Sequence, residues 1–416
     1  MVQVRPFRAV RPPAAEAARV ASVPYDVVSA AEARSLAAGD AASFLNVIRP
    51  EVQFEAGREP APEALHDAAR RAFDHLLTEG LLAESPHPAL YLYRLTWQDH
   101  RQTGVVACCS VDEYDAGVIK KHEKTRPDKQ EDRTRHGLAV GAHVGPVFLT
   151  YRSKPMIDEL VAASTEVAPW VDFTAPDGVR HELWEVRESA ALEAAFAAVP
   201  ALYIADGHHR SASASGIRAA LRRGNSGHRG DEPYNRFLSV LFPADQLRIL
   251  SYNRFVKDRL GASPEAFLAK LRQDFEITFI DDPSSCAVGR VAMHLDGRWF
   301  GIDLGEPPED LVAALDAAML QDRILGPHLG IDDPRTSQRI DFVGGIRGVG
   351  ELERRVAARP EGVAFALAPL PMDDLLAVAD AGRVLPPKST WFEPKLRSGL
   401  LIHRFEAATG STEASR

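Results

Sequence analysis

Three segments of this chain gather residue types that can do chemistry. The first is Tyr203-Ile204-Ala205-Asp206-Gly207-His208-His209-Arg210. An apolar run ends at Asp206, Gly207 permits a tight turn, and a helix pattern follows from about His209 to Arg222. A helix N-terminus offers backbone N–H groups without intrahelical acceptors and the positive end of a dipole, which suit a phosphate. Arg210 could add a charge-assisted clamp, His208 or His209 could donate to a phosphate or shuttle a proton, and Asp206 could act as a base or hold a metal. A capping aspartate alone accounts for Asp206 but not for two histidines and an arginine after it.

The second segment runs from Lys120 to His136, where 13 of 17 residues are charged or histidine and seven Lys/Arg outnumber four acids. A solvated helix face would look similar. Thr125-Arg126-Pro127 breaks such a helix, however, and an excess of cations stands out in a chain of formal net charge -9. A basic loop of this kind suits the phosphate chain of a nucleotide, with Lys121, Lys124 and Arg126 as its cations. Glu123, set among those cations, is expected to stay ionised and to serve as a base or a magnesium ligand.

The third is Pro386-Pro387-Lys388-Ser389-Thr390-Trp391-Phe392-Glu393-Pro394-Lys395. Lys388, Ser389 and Thr390 supply an ammonium and two hydroxyls to a phosphate-binding loop stiffened by prolines. The glycine spacing of a Walker A loop is missing. Phe342-Val343-Gly344-Gly345-Ile346-Arg347-Gly348 lacks the dinucleotide-binding spacing and reads as a structural turn.

The elements that position these residues follow from hydrophobic periodicity. Leu65, Ala69, Phe73, Leu76 and Leu77 recur at helical spacing between Pro62 and Leu82, and Leu90 to Trp97 with Gly104 to Val111 reads as a hairpin. Two short strands are expected around a helix near Ala30 to Ala38, the first over Pro24 to Val28 and the second over Phe44 to Pro50. Strands are expected at 182–186, 201–205, 237–242 and 363–367, with a hairpin over 291–304 and a helix near 311–320. The fold class is α/β (mixed α+β). At 416 residues two domains are expected: 1–255 with the first two motifs, a smaller α/β domain over 256–406 with the third, and a loose tail over 407–416.

Composition narrows the function. Hydrophobic residues at 45% and charged residues at 26% describe a folded globular chain. The negative net charge argues against a surface built for nucleic acid or an anionic membrane. Cys108, Cys109 and Cys286 offer no C-x-x-C pair and no disulfide framework, which fits a reducing, cytoplasmic location. No signal core or spanning segment is evident.

With these motifs in view, the chain resembles a bacterial and archaeal family known as domain of unknown function ten-fifteen. The resemblance rests on Pro24-Tyr25-Asp26-Val27, Phe44-Leu45-Asn46-Val47-Ile48-Arg49-Pro50-Glu51, Lys121-His122-Glu123-Lys124-Thr125 and Ala205-Asp206-Gly207-His208-His209-Arg210. It continues through Leu329 to Thr336, Arg339 to Gly345 and Pro386 to Phe392. Members look like neighbours of serine-biosynthesis genes. The Asp206–Arg210 turn is also similar to the phosphate-binding turn of the ParB/sulfiredoxin fold, which includes free-serine kinases, and this implies a ParB/sulfiredoxin-like N-terminal region. Sulfiredoxin chemistry needs a cysteine where His208 and His209 stand, and no helix-turn-helix supports a chromosome-partitioning role.

The expected function is therefore phosphoryl transfer from a nucleotide, ATP or ADP with magnesium, to a small hydroxylated metabolite, L-serine being the first candidate. A phosphatase acting on O-phosphoserine and a non-catalytic sensor of a nucleotide or phosphometabolite are the alternatives. The expected catalytic residues are Glu123, Asp206, His208 and His209, with Asp206 and Glu123 as magnesium ligands. Lys121, Lys124, Arg126, Gly207, Arg210, Lys388, Ser389 and Thr390 are expected to bind phosphate or nucleotide.

Overall fold

The computed structural model describes residues 2–57 and 60–405. The chain forms two compact units, Met1–Leu247 with Pro394–Arg416, and Arg248–Glu393. Both are mixed α/β. The sequence placed the division at 255/256 and left the C-terminal segment in the second domain. In the structure the chain returns to the first unit at Pro394, because Ile402 exchanges backbone hydrogen bonds with Val10 at 2.9 Å and His403 pairs with His143. The expected tail over 407–416 lies outside the described residues.

The first unit is built on a sheet of nine strands among the described residues. Its order is Ile119–Lys120, Leu202–Asp206, Val147–Tyr151, Arg236–Pro243, His100–Ser110, Leu90–Trp97, Arg180–Val186 and Val171–Thr174, with Val4–Arg5 beside His100–Ser110. The hairpin expected at Leu90 is present, joining Leu90–Trp97 to His100–Ser110 antiparallel. Leu202–Asp206 runs parallel to Ile119–Lys120 and antiparallel to Val147–Tyr151. Its residues Leu202 and Ile204 join Leu90, Val105, Leu149 and Phe196 in the core on one face of the sheet. Cys108 and Cys109 are free and buried on His100–Ser110, and burial pushes the Cys109 thiol up to about 12, which leaves it inert.

Helices form where the apolar spacing requires them. Pro62–Thr78 starts with proline in its first turn and buries Ala68, Ala69, Phe73 and Leu76. Ala30–Ala37 begins at a capping box in which Ser29 and Glu32 satisfy each other's backbone donors. The strand expected over Pro24 to Val28 is a turn, and the one expected over Phe44 to Pro50 is instead the short helix Leu45–Ile48, followed by a 3-10 turn over Pro50–Gln53. Buried Leu45, Val47 and Ile48 pack against Phe73 and Leu76 of the long helix, so tertiary packing overrides a β-branched sequence.

The second unit carries a six-stranded antiparallel sheet in the order Ile277–Phe279, Arg298–Asp303, Arg290–Leu295, Val363–Ala366, Tyr252–Val256 and Ile340–Gly344. The helix expected over 311–320 begins only at Asp316 and runs on through a π-helical turn, Gln321–Leu325, to Leu329. Among the described residues no helix is long and apolar enough to cross a membrane.

Several histidines in the first unit are buried in the neutral form. Burial lowers His122 and His403 to about 4, and His136, His143 and His181 to about 3. In the unfolded chain each takes a proton near pH 6.5, whereas the native state refuses it until about 3–4. The stability they contribute is therefore complete above about pH 6.5 and drains away as the pH falls towards 3. Each unit of depression is worth about 1.4 kcal/mol. The urea midpoint should hold steady between about pH 7 and 8.5 and fall sharply by about pH 5. A flat profile down to about pH 5 would show that these imidazoles are protonated in the native state.

Candidate functional site

The site is built where Leu202–Asp206 leaves the sheet. The strand stops at Asp206, Gly207 turns at φ +97°, and His208 opens the helix His208–Gly224. That conformation is open to glycine and strained for any other residue. A Cβ at Gly207 would also lie 2.9 Å from Arg210 Nε. The first-turn N–H groups of His208, His209 and Arg210 are left without intrahelical acceptors, as at any helix start.

The basic segment reaches this turn. The backbone N–H of His122 donates to His208 Nε2 at 3.4 Å, and that of Arg126 donates to His209 Nε2 at 3.1 Å. Two imidazoles thus hold the ends of the 122–126 loop over the helix start. The first two motifs form one place. The loop then re-enters helix at Pro127, which stands in the first turn of Pro127–Val140.

These hydrogen bonds also fix the histidine tautomers. His208 accepts at Nε2 and so carries its proton on Nδ1, which lies 3.6 Å from Glu123 Oε2. Burial, with His122 beside it at a ring separation of 4.5 Å, holds His208 well below the usual imidazole range. A neutral imidazole therefore presents an N–H dipole to a carboxylate that is about half exposed, at 47% of its side-chain surface.

Asp206 is placed differently. Its Oδ2 lies 3.2 Å from Arg210 Nη2 and 3.4 Å from Lys395 Nζ. Burial opposes its charge, but Lys395 and Arg210 outweigh that and hold the carboxyl well below the usual carboxylate range. Such a carboxylate is a weak base, and both cations compete with a metal for it. The expected roles of Asp206 as base and magnesium ligand do not suit this geometry. Among the described residues no group of three or more His, Cys, Asp or Glu side chains could hold a metal ion.

Arg210 is turned inward. Its Nη1 donates to the Pro146 carbonyl at 2.7 Å, while Nε is buried without a partner. It braces the turn from behind, where an exposed phosphate clamp had been expected. Lys121 lies with its ammonium 3.7 Å from the centroid of the Tyr114 ring. Lys124 is exposed, and exposed Arg126 pairs with Asp128 at 2.9 Å. Lys388, Ser389 and Thr390 belong to the second unit. There Ser389 donates to the Pro386 carbonyl at 2.7 Å and Lys388 lies 5.7 Å from the Tyr252 ring centroid.

Lys395 is the site residue that sequence reasoning missed. It ends the same motif as Lys388, and no periodicity distinguishes the two lysines. Lys395→Met should leave Asp206 with one cation, raise its carboxyl pKa, and cost about 3 kcal/mol of stability at neutral pH, as when one partner of a buried pair is removed. Equal denaturation midpoints for variant and parent would mean that the 3.4 Å contact contributes nothing.

Comparison with known proteins adds the following. A family model described as "Protein of unknown function (DUF1015)" matches residues 4–318. No curated protein matches the sequence. Among solved structures, the chain is similar to a free serine kinase in complex with AMP at 15% identity, covering 70% of this chain and 86% of that one with a TM-score of 0.33. It is similar to SbnI with a C-terminal truncation from Staphylococcus aureus at 14% identity, covering 71% and 86% with a TM-score of 0.38. A conserved hypothetical protein from Pyrococcus furiosus stands at 14% identity, 70% and 90% coverage and a TM-score of 0.32.

Proposed function

We propose that this chain, which belongs to the DUF1015 family, transfers a phosphoryl group from a nucleotide to a small hydroxylated metabolite, with L-serine the first candidate. The observation that carries the reading is the pair of hydrogen bonds from the His122 and Arg126 backbones to His208 and His209. They set a basic loop, the half-exposed Glu123 carboxylate and a helix N-terminus around one spot.

Phosphoryl transfer needs positioning and charge neutralisation more than covalent chemistry. The N–H groups of His208, His209 and Arg210 would receive phosphate oxygens, and Lys124 and Arg126 would neutralise them. Glu123 would accept the proton of the acceptor hydroxyl, with the His208 Nδ1–H keeping its carboxylate aimed. Gly207, Asp206, Arg210 and Lys395 would shape the turn. Magnesium, expected with the nucleotide, would supply further neutralisation of the phosphates. Glu123 fits such an ion alongside the phosphates, whereas Asp206, held by two cations, does not.

Purified protein with magnesium, L-serine and ATP or ADP should form O-phosphoserine, followed by phosphorus NMR. Release of free phosphate from O-phosphoserine without nucleotide would replace this reading with a phosphatase. Saturable nucleotide binding with no product from any hydroxylated acceptor would replace it with a sensor.

A further inference from the structure

The imidazole of His122 stands at the site, and the phosphate chemistry above gives it no part. The residue is 1% exposed, and its Nδ1 is buried with no hydrogen-bond partner. Buried polar atoms are nearly always paired, so an orphan beside a candidate site calls for a partner from outside the chain. Buried His181 and His328 also have one orphaned ring nitrogen, but each uses the other, on Tyr93 and on Asp274. Among the described residues the His122 side chain makes no hydrogen bond or ion pair at all.

Its ring lies against the turn. The centroid is 4.5 Å from that of His208, edge to face at 73°, and the charge of Asp206 bears on it. Asp206 and His208 flank Gly207, so the imidazole packs on the residues that open the helix His208–Gly224. The acceptors nearest to it are already engaged. His208 Nε2 receives the His122 backbone N–H, and Asp206 Oδ2 receives Arg210 and Lys395.

Burial holds His122 neutral, down at about 4, so the ring carries one N–H and adds no charge beside Arg210 and Lys395. A helix start already gathers donors. One more N–H without an acceptor fits an oxyanion, and phosphate oxygens are acceptors alone. The bond that seats the residue, His122 N–H on His208 Nε2, is long at 3.4 Å. Long bonds of this kind in a free enzyme tighten once the ligand arrives, and a small shift of the loop brings Nδ1 to the phosphate.

We propose that His122 is a phosphate ligand of this site, its Nδ1–H donating to a phosphate oxygen of the nucleotide at the start of His208–Gly224. The proposal rests on the reading that this helix start receives phosphate. It does not need turnover, and binding alone tests it.

ADP affinity is measured by calorimetry, and thermal unfolding without nucleotide by circular dichroism, on the whole chain as parent, His122→Phe and His122→Asn. Phenylalanine fills the space without a polar atom to leave unpaired, so His122→Phe should melt at or above the parent. It should bind ADP about ten- to a hundredfold more weakly, the loss expected for a hydrogen bond to a charged group. Asparagine, whose amide nitrogen can take the place of Nδ1, should recover most of that affinity. A histidine with a purely structural role gives the opposite pattern. His122→Phe with a lower melting temperature and the parent's ADP affinity would overturn the proposal, and so would equal losses of affinity in both variants. Affinity lost in His122→Phe and regained in His122→Asn, with no phosphoryl transfer by the parent, would keep His122 as a ligand and remove the transfer reading. Transfer to L-serine with ADP affinity unmoved by His122→Phe would do the reverse.

Discussion

Glu123→Gln should lower turnover by about 10²–10⁴-fold, the range expected when a general base is lost, while nucleotide affinity changes little. The amide keeps the size of the side chain and its place opposite His208 Nδ1, 3.6 Å away in the parent. It cannot accept the acceptor's proton. The proposed phosphate cradle is made of backbone N–H groups and of Lys124 and Arg126, none of which the substitution touches. A kcat effect without a binding effect is therefore the signature to look for. Asp206→Asn provides the contrast. Its carboxylate is engaged by Arg210 and Lys395, so the damage should appear as lost stability and weakened nucleotide binding together. Turnover surviving in Glu123→Gln and lost in a fully folded Asp206→Asn would exchange the two roles.

Gly207→Ala should disrupt the turn and the site together. The backbone stands at φ +97°, which costs a residue with a Cβ about 1–3 kcal/mol. The added carbon would also meet Arg210 Nε at 2.9 Å. Arg210 would have to leave the Pro146 carbonyl or Asp206, and the turn would lose its brace. The expected result is a lower melting temperature with nucleotide affinity reduced at least tenfold. Gly178→Ala is a fitting control, because Gly178 also has positive φ, at 81°, but faces open space. Equal effects of the two substitutions would show that backbone strain alone, and not contact with Arg210, decides the outcome.

The Asp206–Arg210 turn was legible because its parts are local. An apolar strand, one glycine and a helix pattern lie within a few residues, and local geometry follows from such a string. The clustering of 121–126 with 206–210 was legible only as shared chemistry, since nothing in the spacing of two segments some eighty residues apart says that backbone N–H groups of one meet imidazoles of the other. Arg210 shows the limit of residue-type reasoning. An arginine after a glycine turn reads as a phosphate clamp, yet here it serves the protein's own carbonyl and carboxylate. Lys395 was invisible because its role depends on the chain returning to the first unit at Pro394, a long-range pairing that leaves no periodic trace. Leu45–Ile48 was misread because β-branched residues favour strands only when a sheet is there to receive them, and here a helix face receives them.

That the loop and the turn form one phosphate-binding place is tested most directly by imidazole NMR of the ¹⁵N-histidine-labelled chain, titrated with ADP. The nucleotide should shift the signals of His208 and His209, which hold the loop over the helix start, and leave buried His181 unmoved. Saturable ADP binding in the same tube with neither His208 nor His209 responding would place the nucleotide elsewhere and contradict the site.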